Sequence, residues 1–198
     1  QGDLESEKVI INYLTNKTQF KVLSEESYND VDYRDDYYWI VDPIDGSVNY
    51  SRKIPFYAIS VGLWKKNEPI LGIIYDPSND DLYTGIVNEG AWLNSKKIKV
   101  SSCNILSNAI MATGFPVSSS FSKKNILEFV DLVKSCHKVR IFGSAALSLS
   151  LLSSGKLDSY LENNIKIWDV AAGIAIVKAA GGCFEIKKSN HNHIISLK

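Results

Sequence analysis

Tyr38-Trp39-Ile40-Val41-Asp42-Pro43-Ile44-Asp45-Gly46-Ser47-Val48-Asn49-Tyr50 is a strand-like apolar run that stops on an acidic turn. Two carboxylates stand three residues apart in that turn, which Pro43 stiffens and Gly46 frees. Read alone, Asp-Pro-Ile-Asp-Gly is first of all a turn. The same spacing of hard oxygen ligands also suits a divalent cation, and the backbone N–H groups of Gly46 and Ser47 can meet an anion. A cation site beside an anion site, at the end of a buried strand, points to metal-assisted chemistry on a phosphate ester.

Working outward, residues 4–14 place Val9, Ile10, Tyr13 and Leu14 at helical spacing, so a helix is expected to open the chain. The apolar residues 20–23 lead into Ser24-Glu25-Glu26-Ser27, and the acidic stretch 29–36 reads as a solvated loop. Beyond the quoted turn, residues 54–64, 70–75, 82–87 and 91–93 are β-branched or aromatic runs between turn clusters, which predicts a meandering antiparallel sheet. The second half alternates. Strands are expected at 109–114, 139–142, 157–161, 183–186 and 194–197, and helices at 124–135, 145–152 and 169–180, the last ended by Gly181-Gly182. The serine-rich stretch 116–122 is the candidate boundary between lobes 1–116 and 117–198 of one unit.

Composition narrows the function. The 198 residues are 45% apolar, ample for a core, and carry 22 Lys plus Arg against 22 Asp plus Glu. That balance gives no electrostatic reason to expect nucleic acid or an anionic membrane as partner. No membrane-spanning run or signal peptide is visible, and three widely spaced cysteines, an odd number, suggest reduced thiols in a cytoplasmic protein. The sequon Asn16-Lys17-Thr18 is read as chance.

Two further acidic elements matter in combination. Asp169 follows Trp168 at the head of a helix, where a carboxylate commonly complements the dipole, and Glu25-Glu26 after a strand is an ordinary surface pair. Together with the first turn, though, they resemble the inositol monophosphatase superfamily of lithium-sensitive, metal-dependent phosphomonoesterases. The resemblance rests on Trp39 through Asn49, on Trp168-Asp169-Val170-Ala171-Ala172-Gly173 leading to Ala180-Gly181-Gly182, and on Gly143-Ser144-Ala145-Ala146 and Gly155 through Glu162 between them. It covers nearly the whole chain.

The resemblance implies an α+β fold, a layered αβαβα sandwich with a large antiparallel sheet, a smaller second sheet and flanking helices. It implies two or three Mg²⁺ ions. Glu25, Asp42, the Ile44 carbonyl and Asp45 would ligate the first and share in the second, Asp169 would complete the second, and Asp3 matches a weaker third site. Converging carboxylates repel by a few kcal/mol per close pair at an effective dielectric near 20, and divalent cations relieve that repulsion. All-oxygen ligands favour Mg²⁺ over Zn²⁺.

By the same resemblance, Glu25 and Ser47 help to activate a water for in-line attack, Asp45 and Asp169 support the leaving group, and Gly46 and Ser47 hold the phosphate. Glu162, Ser144 and Ala145, with Asp45 and Asp169, would contact the alcohol. Lys166 and Arg140 are candidates for an anionic group or plain solvated charges.

Val48-Asn49-Tyr50 looks like the inositol and sugar phosphatase branch, so the expected substrate is inositol 1-phosphate or a related sugar phosphate. Fructose-1,6-bisphosphatase or bisphosphate nucleotidase activity is the alternative, and a non-catalytic phosphosugar-binding module is the rival from another class. The family is usually dimeric, which predicts a homodimer. Departures are few: Ser47 replaces the commoner Thr, only two residues precede Asp3, and the segment after Gly182 is short.

Other signals carry less. Asp30, Asp32 and Asp35 lack the glycine of a calcium loop, His191 and His193 read as a solvated tail, and Cys136-His137 has no acidic partner. Ser47 has no histidine beside it, which favours a water-orienting role over a nucleophilic one.

Overall fold

Pairs of residues forced into the left-handed region build the hairpins of the larger sheet. Lys66 and Asn67 (φ 48 and 65°) link β3 (Ala58–Lys65) to β4 (Glu68–Asp76), and Asn94 and Ser95 (φ 46 and 67°) link β6 (Gly90–Leu93) to β7 (Lys96–Ile98). With β5 (Asp81–Ile86) between them and β2 (Tyr37–Asp45) ahead, these strands pair antiparallel in chain order, as expected. The computed structural model describes residues 2–27, 36–114, 123–188 and 193–197. Most of the acidic loop, the proposed boundary 116–122, His191 and the side chain of His193 lie outside the described residues.

One strand departs from the antiparallel expectation. β1 (Lys21–Ser24) lies parallel to β2, Leu23 opposite Ile40, so the seven-stranded sheet is mixed. A tight hairpin cannot join parallel neighbours, and the intervening residues supply the longer connection that parallel pairing requires. The expected strand over 54–64 begins only at Ala58, because a short helix, α2 (Ser47–Ser51), follows the acidic turn and Ile54 N–H donates to Asn49 O.

The second sheet contains β8 (Ile110–Thr113), β9 (Lys138–Arg140), β10 (Ser159–Ile165), β11 (Phe184–Lys188) and β12 (His193–Leu197), in the order β11-β12-β10-β8-β9. Its β9-β8-β10 portion is parallel, and β11 and β12 close it antiparallel. Helices α3 (Lys123–Ser135) and α4 (Ala145–Ser153) are the crossovers between those parallel strands.

α4 and α5 (Ile167–Ala179) sit between the sheets. One buried cluster joins Ile40 and Trp64 of the first sheet to Leu149, Val170 and Ile174 of the helices and to Ala112 and Tyr160 of the second sheet. The opposite face of the large sheet is covered by α1 (Gly2–Lys17), whose Leu14 packs on Trp39 and Val41. A stripe of glycines sets the height of α5. Gly62, Gly72 and Gly85 stand opposite one another on β3, β4 and β5. A Cβ at Gly72 would lie 2.1 Å from the Ala172 carbonyl oxygen, so the helix can settle on the sheet only because the stripe is bare. The Trp64 indole N–H, 3.1 Å from Ala171 O, locks that docking. The head of α5 thereby arrives at the end of β2.

Candidate active site

A bulge in β2 aligns its two aspartates. Asp42 stands opposite Ser60 and Asp45 opposite Ala58, so three steps on β2 match two on β3. In a regular strand, residues three apart point to opposite faces; the extra residue turns both carboxylates to the same side. Pro43 sits within the irregularity, and Ile44 N–H donates to Asp42 Oδ1 at 3.0 Å. Gly46 then adopts φ +85°, and a Cβ there would lie 3.1 Å from both the Gly143 and Phe56 carbonyl oxygens. Buried Asn49 fixes the turn from behind, its Nδ2 donating to Phe56 O at 2.8 Å and Phe142 O at 2.9 Å.

Those bonds bring the start of α4 against Asp45. Its carboxylate accepts from the Ser144 hydroxyl, from Ala145 N–H at 3.3 Å and from Ala146 N–H at 2.9 Å. Ser144 Oγ also accepts from Leu147 N–H and so caps the helix. Asp169 enters from the first turn of α5, where it accepts from Lys166 N–H at 3.0 Å. Carboxylate oxygens of Asp42, Asp45 and Asp169 lie within 4.8 Å of one another.

Burial dominates the electrostatics. It raises Asp45 to about 6, against the opposing hydrogen bonds from Ser144, Ala146 and Ala145. Asp169 is raised to about 8, by burial and then by the Asp45 charge. Asp42 is pushed well above the carboxylate range by burial and by Asp45, Glu25 and Asp169. Glu25 and Glu162 are raised too, first by burial. Three acids held this close resist ionising together unless a cation joins them. All-oxygen donors fit a hard divalent ion such as Mg²⁺.

The cleft around the triad measures about 350 Å³, within the range of small-molecule sites. Glu25, Asp42, Ile44, Asp45, Gly46 and Ser47 line one wall, and Ser144, Ala145, Glu162 and Asp169 line the other. Glu25 stands on an exposed turn beyond the tight triad. Asp3 does not line the cleft, although its charge helps to raise Glu25. Lys166 and Arg140 also stay out of it: Lys166 Nζ lies 5.9 Å from the Trp168 ring centre, and Arg140 donates to Val139 O. Ser144 and Ala145, expected at the alcohol, both bond Asp45.

Sequence reasoning missed Thr113, Gly114 and Tyr160, which also line the cleft. The buried Tyr160 hydroxyl bonds the Glu162 carboxylate, and a Cβ at Gly114 would fall 1.8 Å from Glu162 Oε1. Strand alternation was a usable signal for Tyr160, two residues before Glu162 on the same face of β10. Nothing local marks Gly114.

The fold and the sequence both have known counterparts. An inositol monophosphatase from Anabaena superposes with a TM-score of 0.90 at 34% identity, over 98% of this chain and 80% of that one. The Nus factor SuhB of Salmonella typhimurium is 31% identical over 98% of this chain and 73% of its own. A protein of Aquifex aeolicus named fructose-1,6-bisphosphatase/inositol-1-monophosphatase is 38% identical over 76% of this chain and 58% of its own. The family model described as inositol monophosphatase matches residues 1–192. With fold, carboxylate triad and sequence in accord, the chain belongs to the inositol monophosphatase family.

Proposed function

We propose that this protein hydrolyses a phosphate monoester of inositol or a related sugar with Mg²⁺ bound by Asp42, Asp45, Asp169, Glu25 and the Ile44 carbonyl. The observation that carries the reading is the triad itself: two buried carboxylates on β2 and a half-buried one on α5, drawn within 4.8 Å although burial and mutual repulsion oppose their charge. When bound, Mg²⁺ supplies Lewis-acid activation of water and charge neutralisation at the leaving oxygen.

The chain's own groups do the rest. Glu25, at the cleft edge, accepts a proton from the attacking water, and the Ser47 hydroxyl orients that water. The N–H groups of Gly46 and Ser47 face the phosphate. Glu162, its carboxylate held by Tyr160, accepts hydrogen bonds from the hydroxyls of the alcohol, with Ser144 and Ala145 on the same wall. Asp3 is proposed to add a weaker ion at the edge.

Phosphate release from a panel of monoesters, with Mg²⁺, Li⁺ or a chelator added, tests the proposal. Turnover that needs Mg²⁺, falls with Li⁺ and is abolished in Asp45→Asn is expected. The absence of Mg²⁺-dependent release on every substrate, with Asp45→Asn behaving like the parent, would leave a binding-only protein instead. The Aquifex relative's name places fructose 1,6-bisphosphate on the panel beside inositol 1-phosphate. We also propose a homodimer, which light scattering would report as twice the chain mass.

A further inference from the structure

α1 carries a buried acid that the chemistry above does not use. Glu7 is 5% exposed, and its Oε1 accepts from both Ser27 N–H and Ser27 Oγ at 3.2 Å. Ser27 lies in the turn that begins at Glu25. At the end of β1, Glu25 N–H donates to Val41 O at 3.3 Å. Beyond it, residues 25–27 are exposed, so core packing does not hold the Glu25 side chain in the cleft. The Glu25 carboxylate bonds Asp42, and that contact forms only where the backbone brings it; Glu7 grips that backbone two residues on. One residue earlier, the Ser6 hydroxyl donates to Pro43 O at 3.3 Å, between the ligating positions Asp42 and Ile44. One helix turn therefore touches both acidic segments of the cleft.

We infer that Glu7 is a positioning residue for Glu25: through Ser27 it fixes the Glu25 turn at the distance from the Asp42–Asp45 bulge that a shared cation requires. The chemistry suits the task. A buried carboxylate must find donors, and two donors from one residue define the turn's orientation more tightly than one would. A lapse of about 1 Å at such a group costs on the order of a hundredfold in rate. The inference rests on the metal reading of the cleft proposed above.

Calorimetric binding of Mg²⁺ alone tests it, independently of turnover, beside melting curves and phosphate release. Glu7→Ala is expected to weaken Mg²⁺ binding about tenfold, the usual effect of losing a group that supports a ligand. Glu7→Gln, whose amide oxygen still accepts from both Ser27 donors, binds Mg²⁺ like the parent. In a Glu25→Ala background the Glu7→Ala change adds nothing, because the residue it positions is gone.

Parent-like Mg²⁺ binding by folded Glu7→Ala overturns the inference, as does an equal loss with and without Glu25. Should Glu7→Ala fail to fold, Ser27→Ala removes one donor and leaves α1 intact; a loss of about threefold supports the inference and none overturns it. If the parent binds Mg²⁺ and releases phosphate while Glu7→Ala does both equally well, the role of Glu7 falls and the proposed function stands. A parent that binds no Mg²⁺ removes both.

Discussion

Asp42 and Asp76 are both buried acids of the large sheet, on β2 and at the end of β4, at 1% and 6% exposure. Asp76 is satisfied by its own turn: Ser78 N–H donates at 2.9 Å and Asn79 Nδ2 at 2.8 Å. It borders a separate cavity of about 200 Å³ shared with Phe56, Tyr83 and Lys156. Asp42 receives Ile44 N–H and then faces Asp45, Asp169 and Glu25. The contrast shows what distinguishes a structural acid from a functional one. A buried carboxylate among donors caps a turn; a buried carboxylate among carboxylates is an incomplete structure that a cation completes.

Neutralising one acid of each kind should give opposite results. Asp169→Asn should lower phosphate release roughly a thousandfold, several kcal/mol of barrier, because the cation loses a ligand. The same variant should melt above the parent at pH 8.5 in chelator, since it removes a charge that the empty triad tolerates poorly. A lower melting point in chelator would break the argument.

Within the triad, Ser144→Ala should shift the charge state of Asp45 alone. Ser144 helps to keep Asp45 near 6 by donating to its charged form. Without that bond the metal-free Asp45 carboxyl holds its proton to higher pH, so Mg²⁺ binding at pH 6 should weaken roughly tenfold while binding at pH 9 stays within about threefold. A uniform loss across pH would contradict this account.

A third outcome concerns pH alone. Asp169 titrates near 8 when folded and in the ordinary Asp range, about 4, when unfolded. Between those values the unfolded chain sheds its proton first, so the metal-free protein should lose stability as pH rises from 4 to 8, with the loss complete above that. Melting temperature in chelator should therefore fall across this window. Mg²⁺ should cancel the fall, because it takes the place of the proton. A flat profile in chelator would show that the triad is not strained by charge.

The smallest effect on chemistry is expected at Asp76. Asp76→Ala leaves the Ser78 and Asn79 donors without their partner, at about 1–3 kcal/mol, which lowers the melting temperature by roughly 5 °C. Turnover should stay within about twofold. A large loss of turnover would mean that the second cavity communicates with the first.

Much of the site was legible in the sequence because its chemistry is local. Asp42-Pro43-Ile44-Asp45-Gly46 reads as a turn with two ligands whatever surrounds it, and Asp169 after Trp168 reads as a helix head. Helix α3 and the hairpins followed from periodicity and turn residues. What escaped was non-local: the parallel entry of β1, the Gly62-Gly72-Gly85 stripe under α5, and Gly114 beneath Glu162. Each is a small residue or a pairing whose meaning exists only against a partner far along the chain.

Local sequence thus singles out the acids that meet in the cleft, since turn, cap and ligand propensities are properties of a few adjacent side chains. Their meeting is a property of the folded chain. Ser144 reaches Asp45 across 99 residues, Glu7 reaches Ser27 across 20, and the β2 bulge needs β3 to define it. The physical reason is that a carboxylate's charge state and position are set by the donors, acids and buried walls that folding gathers around it.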